Sequence, residues 1–64
     1  MKVRDAIRRL QEDGWLEQPG RGKGSHRGFV HPTKPGIVVV PGHPNDELRL
    51  GTWLSIQRAA GWRR

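Results

Sequence analysis

The chain has 64 residues and no cysteine, so it must fold around one small apolar core without a disulfide. This length is near the lower limit for a domain without covalent or metal cross-links, and we expect a single domain over residues 1–64. No run approaches the roughly 20 apolar residues of a membrane helix, and no apolar signal core follows the N-terminus. We therefore expect a soluble cytoplasmic protein that makes no membrane contact.

Apolar periodicity predicts a helix near each end of the chain. The first helix has four apolar residues at the spacing i, i+3, i+4 and i+7: Val3, Ala6, Ile7 and Leu10. Gly14 is placed to end this helix. Thr52 can cap the second helix and Gly61 can close it. That helix carries three apolar side chains on one side: Trp53, Ile56 and Ala60.

Three segments between these helices have the composition of short strands, at 15–17, 25–31 and 37–40. Glycine at every second position of 20–24 predicts a loop, since that pattern packs neither a helix nor a strand. The predicted order is α-β-β-β-α. The simplest arrangement is an α+β fold in which two helices cover one face of a three-stranded antiparallel sheet.

The distribution of charge suggests a polyanionic partner. Twelve Lys and Arg against six Asp and Glu give a formal net charge of +6. No acidic residue occurs between Gln18 and Asn45, a stretch with four cations and all three histidines. The cations are Arg21, Lys23, Arg27 and Lys34. Nucleic acid is the common reason for such a segment, and a solvated cationic surface is the alternative.

Alternation along the second predicted strand separates His26 from Phe29. Side chains two apart share a face, so Arg27, Phe29 and His31 point one way and His26 points the other. If Phe29, the only phenylalanine, packs under the helices, His26 emerges on the open face. A lone histidine in a strand is more often structural than catalytic, but this one has cations beside it.

Such a histidine can support RNA cleavage without a metal ion. RNA supplies its own nucleophile, the 2′-hydroxyl, and imidazole exchanges a proton near neutral pH. Arg and Lys can stabilise the charge on the phosphate in the transition state. The residues alone make His26 a candidate for this role and leave a structural role as the alternative. The candidate RNA-binding residues lie on both sides of it: Arg21, Lys23, Ser25 and Arg27.

No cofactor or metal site is predicted. His26, His31 and His43 lack the ligand spacing of a zinc site, and there is no cysteine or tight carboxylate cluster to join them. The segment 20–25 lacks the spacing of a nucleotide-binding phosphate loop. His43, which lies between Gly42 and Pro44, is expected to stabilise its loop by a hydrogen bond.

Three short elements of the sequence are specific when taken together: Gly-Ser-His at 24–26, Val-Pro-Gly-His at 40–43 and Gly-Thr at 51–52. With the segments 3–7 and 13–15, they resemble the HicA-type toxin family. The remaining matches are Phe29, His31-Pro32, Glu47-Leu48, Ser55-Ile56 and Ala60-Gly61. The last helix departs from the family pattern at Trp53, Leu54 and Gln57.

The resemblance implies a fold like that of double-stranded-RNA-binding domains and ribosome-independent cleavage of mRNA. It assigns catalysis to His26 and implies neutralisation by a HicB-type antitoxin, and it leaves a higher-order toxin–antitoxin complex open. We expect the antitoxin to cover His26 and the loop 20–24, with Leu54 and Trp62 as apolar anchors. The alternatives are a non-catalytic RNA-binding module and a basic ribosome-associated structural protein.

Overall fold

The computed structural model describes residues 1–19 and 26–63. Its elements, in chain order, are α1 (Val3–Glu12), β1 (Leu16–Gln18), β2 (Arg27–Val30), β3 (Val38–Val40) and α2 (Leu50–Ala59). β2 is the central strand and pairs antiparallel with both neighbours. The predicted α+β fold in the order α-β-β-β-α is thus confirmed. The predicted loop 20–24 lies outside the described residues.

Residues before α2 accept hydrogen bonds from the first N–H groups of α1. The first N–H groups of a helix have no partner within it, so they need acceptors elsewhere. The Val3 N–H donates to the Asp46 carbonyl oxygen at 2.9 Å, and the Arg4 N–H donates to that of Pro44 at 3.0 Å. The Asp5 carboxylate accepts the Lys2 N–H at 3.0 Å. The start of α1 is therefore fixed largely by residues forty or more positions away.

Both helices end at glycine, as predicted, but α2 begins earlier than expected. Gly14 and Gly61 have φ of +96° and +80°, a left-handed conformation that glycine adopts without strain. The prediction that Thr52 caps α2 is wrong, since the helix begins at Leu50. The chain just ahead is held by a 2.8 Å hydrogen bond from the Leu48 N–H to the Met1 carbonyl oxygen. That tertiary contact outweighs the capping preference of threonine.

The core lies between the two helices and one face of the sheet. Phe29 on β2 is opposite Val38 on β3, and both side chains are fully buried. Trp15 is buried beside them, and Trp53 packs against this cluster with the apolar side of α2, as the sequence predicts for Trp53. The other members of the core cluster come from β3, from the two helices and from the residue that follows α2: Val40, Val3, Ile7, Leu10, Ile56 and Ala60. Within residues 1–19 and 26–63, both helices cover the same face, and no helix covers the opposite face of the sheet.

The helices of the described residues are short, and none is both long and apolar enough to cross a membrane.

Candidate functional site

His26 lies immediately before β2 and is exposed to solvent. Phe29, three residues later, is completely buried on the face covered by the helices. Alternation along the strand therefore places His26 with Gly28 and Val30 on the open face. None of the hydrogen bonds among the described residues involves the His26 ring. Its imidazole is accessible to a ligand in the way that the sequence predicts.

Arg27 lies on the other face of β2, opposite Val40 of β3. Its guanidinium Nε is 3.9 Å from Glu17 Oε2, and both side chains are partly exposed at 36% and 44%. Exposed pairs of this kind contribute at most about 1 kcal/mol, so an incoming phosphate could replace the carboxylate at little cost. The contact of Arg27 with RNA stays a prediction.

The other three predicted RNA-binding residues, Arg21, Lys23 and Ser25, lie outside the described residues. Their role also stays a prediction. The fourth cation of the acid-free stretch, Lys34, does not belong to this site. Its Nζ donates to Asp13 Oδ2 at 2.7 Å and to the Ala60 carbonyl oxygen at 3.1 Å, on the side of the fold that holds the helix ends.

His31 follows β2 at its other end, and both of its ring nitrogens are engaged. Nδ1 accepts the backbone N–H groups of Thr33 and Lys34 at 3.1 and 3.2 Å. Nε2 is therefore the nitrogen that carries the proton, and it donates to the Asp13 carbonyl oxygen at 2.7 Å. The ring also packs edge-on to Trp15, with centroids 5.2 Å apart. His31 is a structural histidine.

The Asp13 carboxylate is the centre of a polar cluster that sequence reasoning missed. Besides Lys34, its Oδ2 accepts the indole N–H groups of Trp15 and Trp62, each at 3.0 Å. These hydrogen bonds, that of Lys34 first, lower the pKa of Asp13 from 3.8 to about 2. We call the five residues that meet here the Asp13 cluster: Asp13, Trp15, His31, Lys34 and Trp62.

Trp62 makes several contacts within the chain, and its role as an antitoxin anchor stays a prediction. Its indole donates to Asp13, lies 6.0 Å from the Trp53 ring in a T-shaped arrangement, and packs against the core. The sequence places Trp62 beside two arginines at the C-terminus, and no local pattern reveals these contacts. Leu54 is half-buried on α2.

His43 belongs to a loop on the side of the molecule that carries the start of α1. Its backbone N–H donates to Asp46 Oδ2 at 3.0 Å, and its carbonyl oxygen accepts the Asp46 N–H at 2.9 Å. The predicted hydrogen bonding of this loop is thus made by the backbone, while the side chain is exposed. A groove of about 190 Å³ lies nearby. It is smaller than most ligand pockets, and its lining includes Val3 and Thr52 but not His26.

Within residues 1–19 and 26–63, no three His, Asp or Glu side chains converge in a group that could hold a metal ion. The metal-free reaction expected from the sequence stays a prediction.

The fold and site define a small basic α+β protein with one exposed histidine at the edge of an open sheet face. Residues 3–62 match the family described as HicA toxins of bacterial toxin–antitoxin systems. The chain belongs to this family, and the resemblance seen in its motifs is confirmed. Membership supports a toxin role and implies an antitoxin partner in general. No curated protein is significantly similar to the chain in sequence.

Proposed function

We propose that the chain is an endoribonuclease toxin that cleaves mRNA with His26, independently of the ribosome and without a metal ion. The observation that carries this proposal is the exposed position of His26 just before β2, on the side of the sheet that neither α1 nor α2 covers. Family membership supports the toxin role, and the net charge of +6 suits a polyanionic substrate. The cytoplasm, where mRNA is found, is the expected site of action.

The histidines differ in what they can contribute to such a reaction. A catalytic base must present a ring nitrogen to the substrate. Both nitrogens of His31 are engaged inside the protein, whereas the ring of His26 is exposed. His43 is exposed too, but it lies in a loop whose hydrogen bonds tie it to Asp46, in a part of the fold distinct from β2.

In the proposed reaction, His26 accepts the proton of the ribose 2′-hydroxyl. The 2′-oxygen forms a bond to the adjacent phosphorus, the bond from phosphorus to the 5′-oxygen breaks, and that oxygen takes a proton as it leaves. The products are a 2′,3′-cyclic phosphate and a 5′-hydroxyl end. Cationic and hydroxyl groups stabilise the phosphate oxygens as charge develops on them. The candidates are Arg21, Lys23, Ser25 and Arg27.

The proposed inhibitor is a HicB-type antitoxin that binds over His26 and excludes RNA. A small cationic surface is most readily blocked by an acidic protein, because opposite charges both attract the partner and compete with phosphate.

The proposal is tested by incubating a long RNA with the wild-type protein, with His26→Ala and with His43→Ala. Histidine 43 is the matched control, since it is also exposed and its described hydrogen bonds run through its backbone. We expect His26→Ala to lose at least about 100-fold in cleavage rate, as removal of a general base does. His43→Ala should cleave normally, and far-UV circular dichroism should be unchanged in both.

Three further measurements examine the chemistry. Cleavage should persist in EDTA and leave 2′,3′-cyclic phosphate ends, and a single 2′-deoxy substitution at the cleaved nucleotide should block it. Wild-type rates for His26→Ala, or activity that disappears in EDTA and returns with Mg²⁺, would contradict the mechanism. RNA binding by the wild type without any cleavage would instead favour the non-catalytic binding module.

A further inference from the structure

The three tryptophans of the chain differ in their exposure to solvent. Trp15 is buried in the core, whereas Trp53 and Trp62 are half-buried and contact each other, with ring centroids 6.0 Å apart. The Arg9 guanidinium lies over the Trp53 ring, 5.7 Å from its centroid. A small domain gains stability by burying its large aromatic groups, so this partly exposed arginine–tryptophan contact points to a ligand.

Within residues 1–19 and 26–63, four arginines make neither a salt bridge nor a side-chain hydrogen bond: Arg9, Arg49, Arg58 and Arg63. Each of the other described cations has such a partner: Lys2, Arg4, Arg8, Arg27 and Lys34. Arg9 and Arg58 lie in the last turns of the two helices, where a cation suits the helix dipole. That partial charge does not neutralise a guanidinium, so both remain available to an anion.

Two of these arginines lie at the ends of a line along α2, with the half-buried tryptophans between them. Arg49 directly precedes α2, and its carbonyl oxygen accepts the Trp53 N–H at 2.9 Å, one helical turn later. Gln57 is one turn after Trp53, and its carbonyl oxygen accepts the Trp62 N–H at 2.8 Å. Arg63 is the next residue of the chain. Since residues one turn apart lie on the same side of a helix, this line is continuous.

We call this surface the arginine–tryptophan track, and its members are Arg9, Arg49, Trp53, Gln57, Trp62 and Arg63.

The chemistry of the arginine–tryptophan track fits a single strand of RNA. Proteins hold single strands by cations that follow the phosphates and by aromatic rings on which bases stack. The Arg9 guanidinium, held over Trp53, offers a further plane for a base. RNA carries one negative charge per nucleotide, which suits cations spaced along a line. A second copy of the chain is disfavoured, because it would bring two net charges of +6 together.

We propose that the arginine–tryptophan track is a second RNA-binding surface, which holds a single-stranded part of the substrate by phosphate contacts at its arginines and base stacking at Trp53. This inference rests on the proposed function, since the RNA is the substrate of that reaction. The helices that carry the track cover the face of the sheet opposite to His26. The track therefore adds affinity for the strand, and cleavage itself stays with His26. Trp53 is a position at which α2 departs from the family pattern, so the track is a feature of this chain.

The stacking contact is tested by the fluorescence anisotropy of a labelled single-stranded RNA, with every variant made in the full chain carrying His26→Ala so that the RNA stays intact. Trp53→Leu keeps an apolar side chain against the core and removes the ring. It should bind the single strand at least about fivefold more weakly, as loss of one stacked base does. Trp53→Phe, which restores a ring, should bind within about threefold of the parent. A duplex of the same sequence should bind Trp53→Leu within about twofold of the parent, because its bases are already stacked.

The phosphate contact is tested with two neighbouring arginines of α1. Arg9→Gln and Arg8→Gln each remove one positive charge, but Arg8 lies beside Asp5, with Nη2 and Oδ1 3.3 Å apart, and is not part of the track. Arg9→Gln should flatten the dependence of log affinity on log salt by about 0.7, and Arg8→Gln should change it by clearly less. Equal slopes in the two variants would show that only net charge matters, and would overturn the contact at Arg9.

Each remaining outcome decides for or against the track. Parental affinity of Trp53→Leu for the single strand, or an equal loss for strand and duplex, would overturn base stacking. If Trp53→Leu does not fold, the comparison of Arg9→Gln with Arg8→Gln decides. Weaker binding of the antitoxin to Trp53→Leu, with RNA affinity intact, would assign the surface to that protein instead. RNA binding through the track by a wild type that never cleaves would refute the proposed endoribonuclease and leave this inference standing.

Discussion

One histidine flanks each end of β2, and the two side chains differ in exposure and in hydrogen bonding. His31, after the strand, has both ring nitrogens bonded and packs against Trp15. His26, before the strand, is exposed and has no hydrogen-bonded partner among the described residues. The same type of side chain is thus held by hydrogen bonds at one end of β2 and exposed to solvent at the other. If His26 is catalytic as proposed, stability and reactivity are supplied from opposite ends of one strand.

The Asp13 cluster explains how the His31 end is held. Its carboxylate lies where α1 ends, and its partners come from the start of β1, from the turn after β2 and from beyond α2. One acceptor therefore connects four parts of the chain. Both indole N–H donors reach this oxygen, and Trp15 is 99% buried. Removal of the acceptor would leave a buried donor unpaired, which costs more than the hydrogen bond itself contributes.

The largest effect on stability is expected from Asp13→Ala, at the His31 end of β2. It should reduce the free energy of unfolding by about 2–3 kcal/mol, because Trp15 and Trp62 both lose their acceptor. For a domain of this size, that corresponds to a fall in melting temperature of roughly 10–20 °C. Urea unfolding measures the change in the free energy of unfolding. Glu12→Ala is the control, because Glu12 is an exposed acid one position earlier, on α1.

Cleavage per folded molecule should be unchanged in Asp13→Ala, since the cluster lies at the other end of β2 from His26. A variant as stable as the wild type would show that the cluster contributes nothing, and a folded variant without activity would show that the two ends are coupled.

A smaller loss of stability is expected at acid pH, where the Asp13 carboxylate takes up a proton. Hydrogen bonds from Lys34 and then Trp62 lower the pKa of Asp13 from 3.8 to about 2 in the folded chain. A carboxyl with a lower pKa when folded contributes stability above pH 3.8, and this contribution is lost as the pH falls toward about 2. We expect a loss of about 1–2 kcal/mol, less than the pKa difference alone implies, because the side chain is one-third exposed and screened.

Urea unfolding of the wild type and of Asp13→Asn between about pH 5 and pH 2 isolates this contribution. The N-terminal ammonium and Lys2 also lower the pKa of Glu47, but Glu47 is present in both proteins and cancels in the difference. The wild type should lose more stability than the variant over this range. Parallel pH profiles would mean that Asp13 titrates in the folded chain as it does in the unfolded chain.

The contrast between the two ends also shows what the sequence can predict. The spacing of Val3, Ala6, Ile7 and Leu10 predicts α1, because a helix must bury one face and only this spacing makes a stripe. Alternation about Phe29 predicts the exposed side of His26, because neighbours along a strand point to opposite faces. Both inferences use short-range periodicity, which the sequence displays directly.

The Asp13 cluster and the uncovered face of the sheet depend on contacts between residues far apart in the sequence, which short-range periodicity does not predict. Asp13, Lys34 and Trp62 are separated by 21 and 28 positions, and only the folded chain brings them together. The start of α2 was misplaced for the same reason, since Met1 fixes Leu48 from the far end of the sequence. Leu16 and Ile37 look like ordinary strand residues until the register shows which face lacks a cover.

The smallest effect is expected on RNA affinity, from substitution of Arg27. Of the predicted RNA-binding residues, Arg27 is the one that the structure describes. Its guanidinium lies 3.9 Å from Glu17, so a phosphate contact requires this weak pair to separate. Arg27→Ala should flatten the dependence of log affinity on log salt by about 0.7, the value for one phosphate contact with a single strand. Glu17→Gln should raise RNA affinity by about two- to threefold at low salt, since less than about 1 kcal/mol is released.

A double-mutant cycle distinguishes release of Arg27 from a general change of charge. Removal of any acid makes the chain more basic and strengthens RNA binding somewhat, and Glu12→Gln measures that background on an exposed site of α1. If Arg27 meets a phosphate, the gain from Glu17→Gln beyond this background should vanish when Arg27 is already alanine. A gain that persists in Arg27→Ala would mean that Glu17 acts through its charge alone. RNA binding near His26 would then depend on Arg21, Lys23 and Ser25 rather than on Arg27.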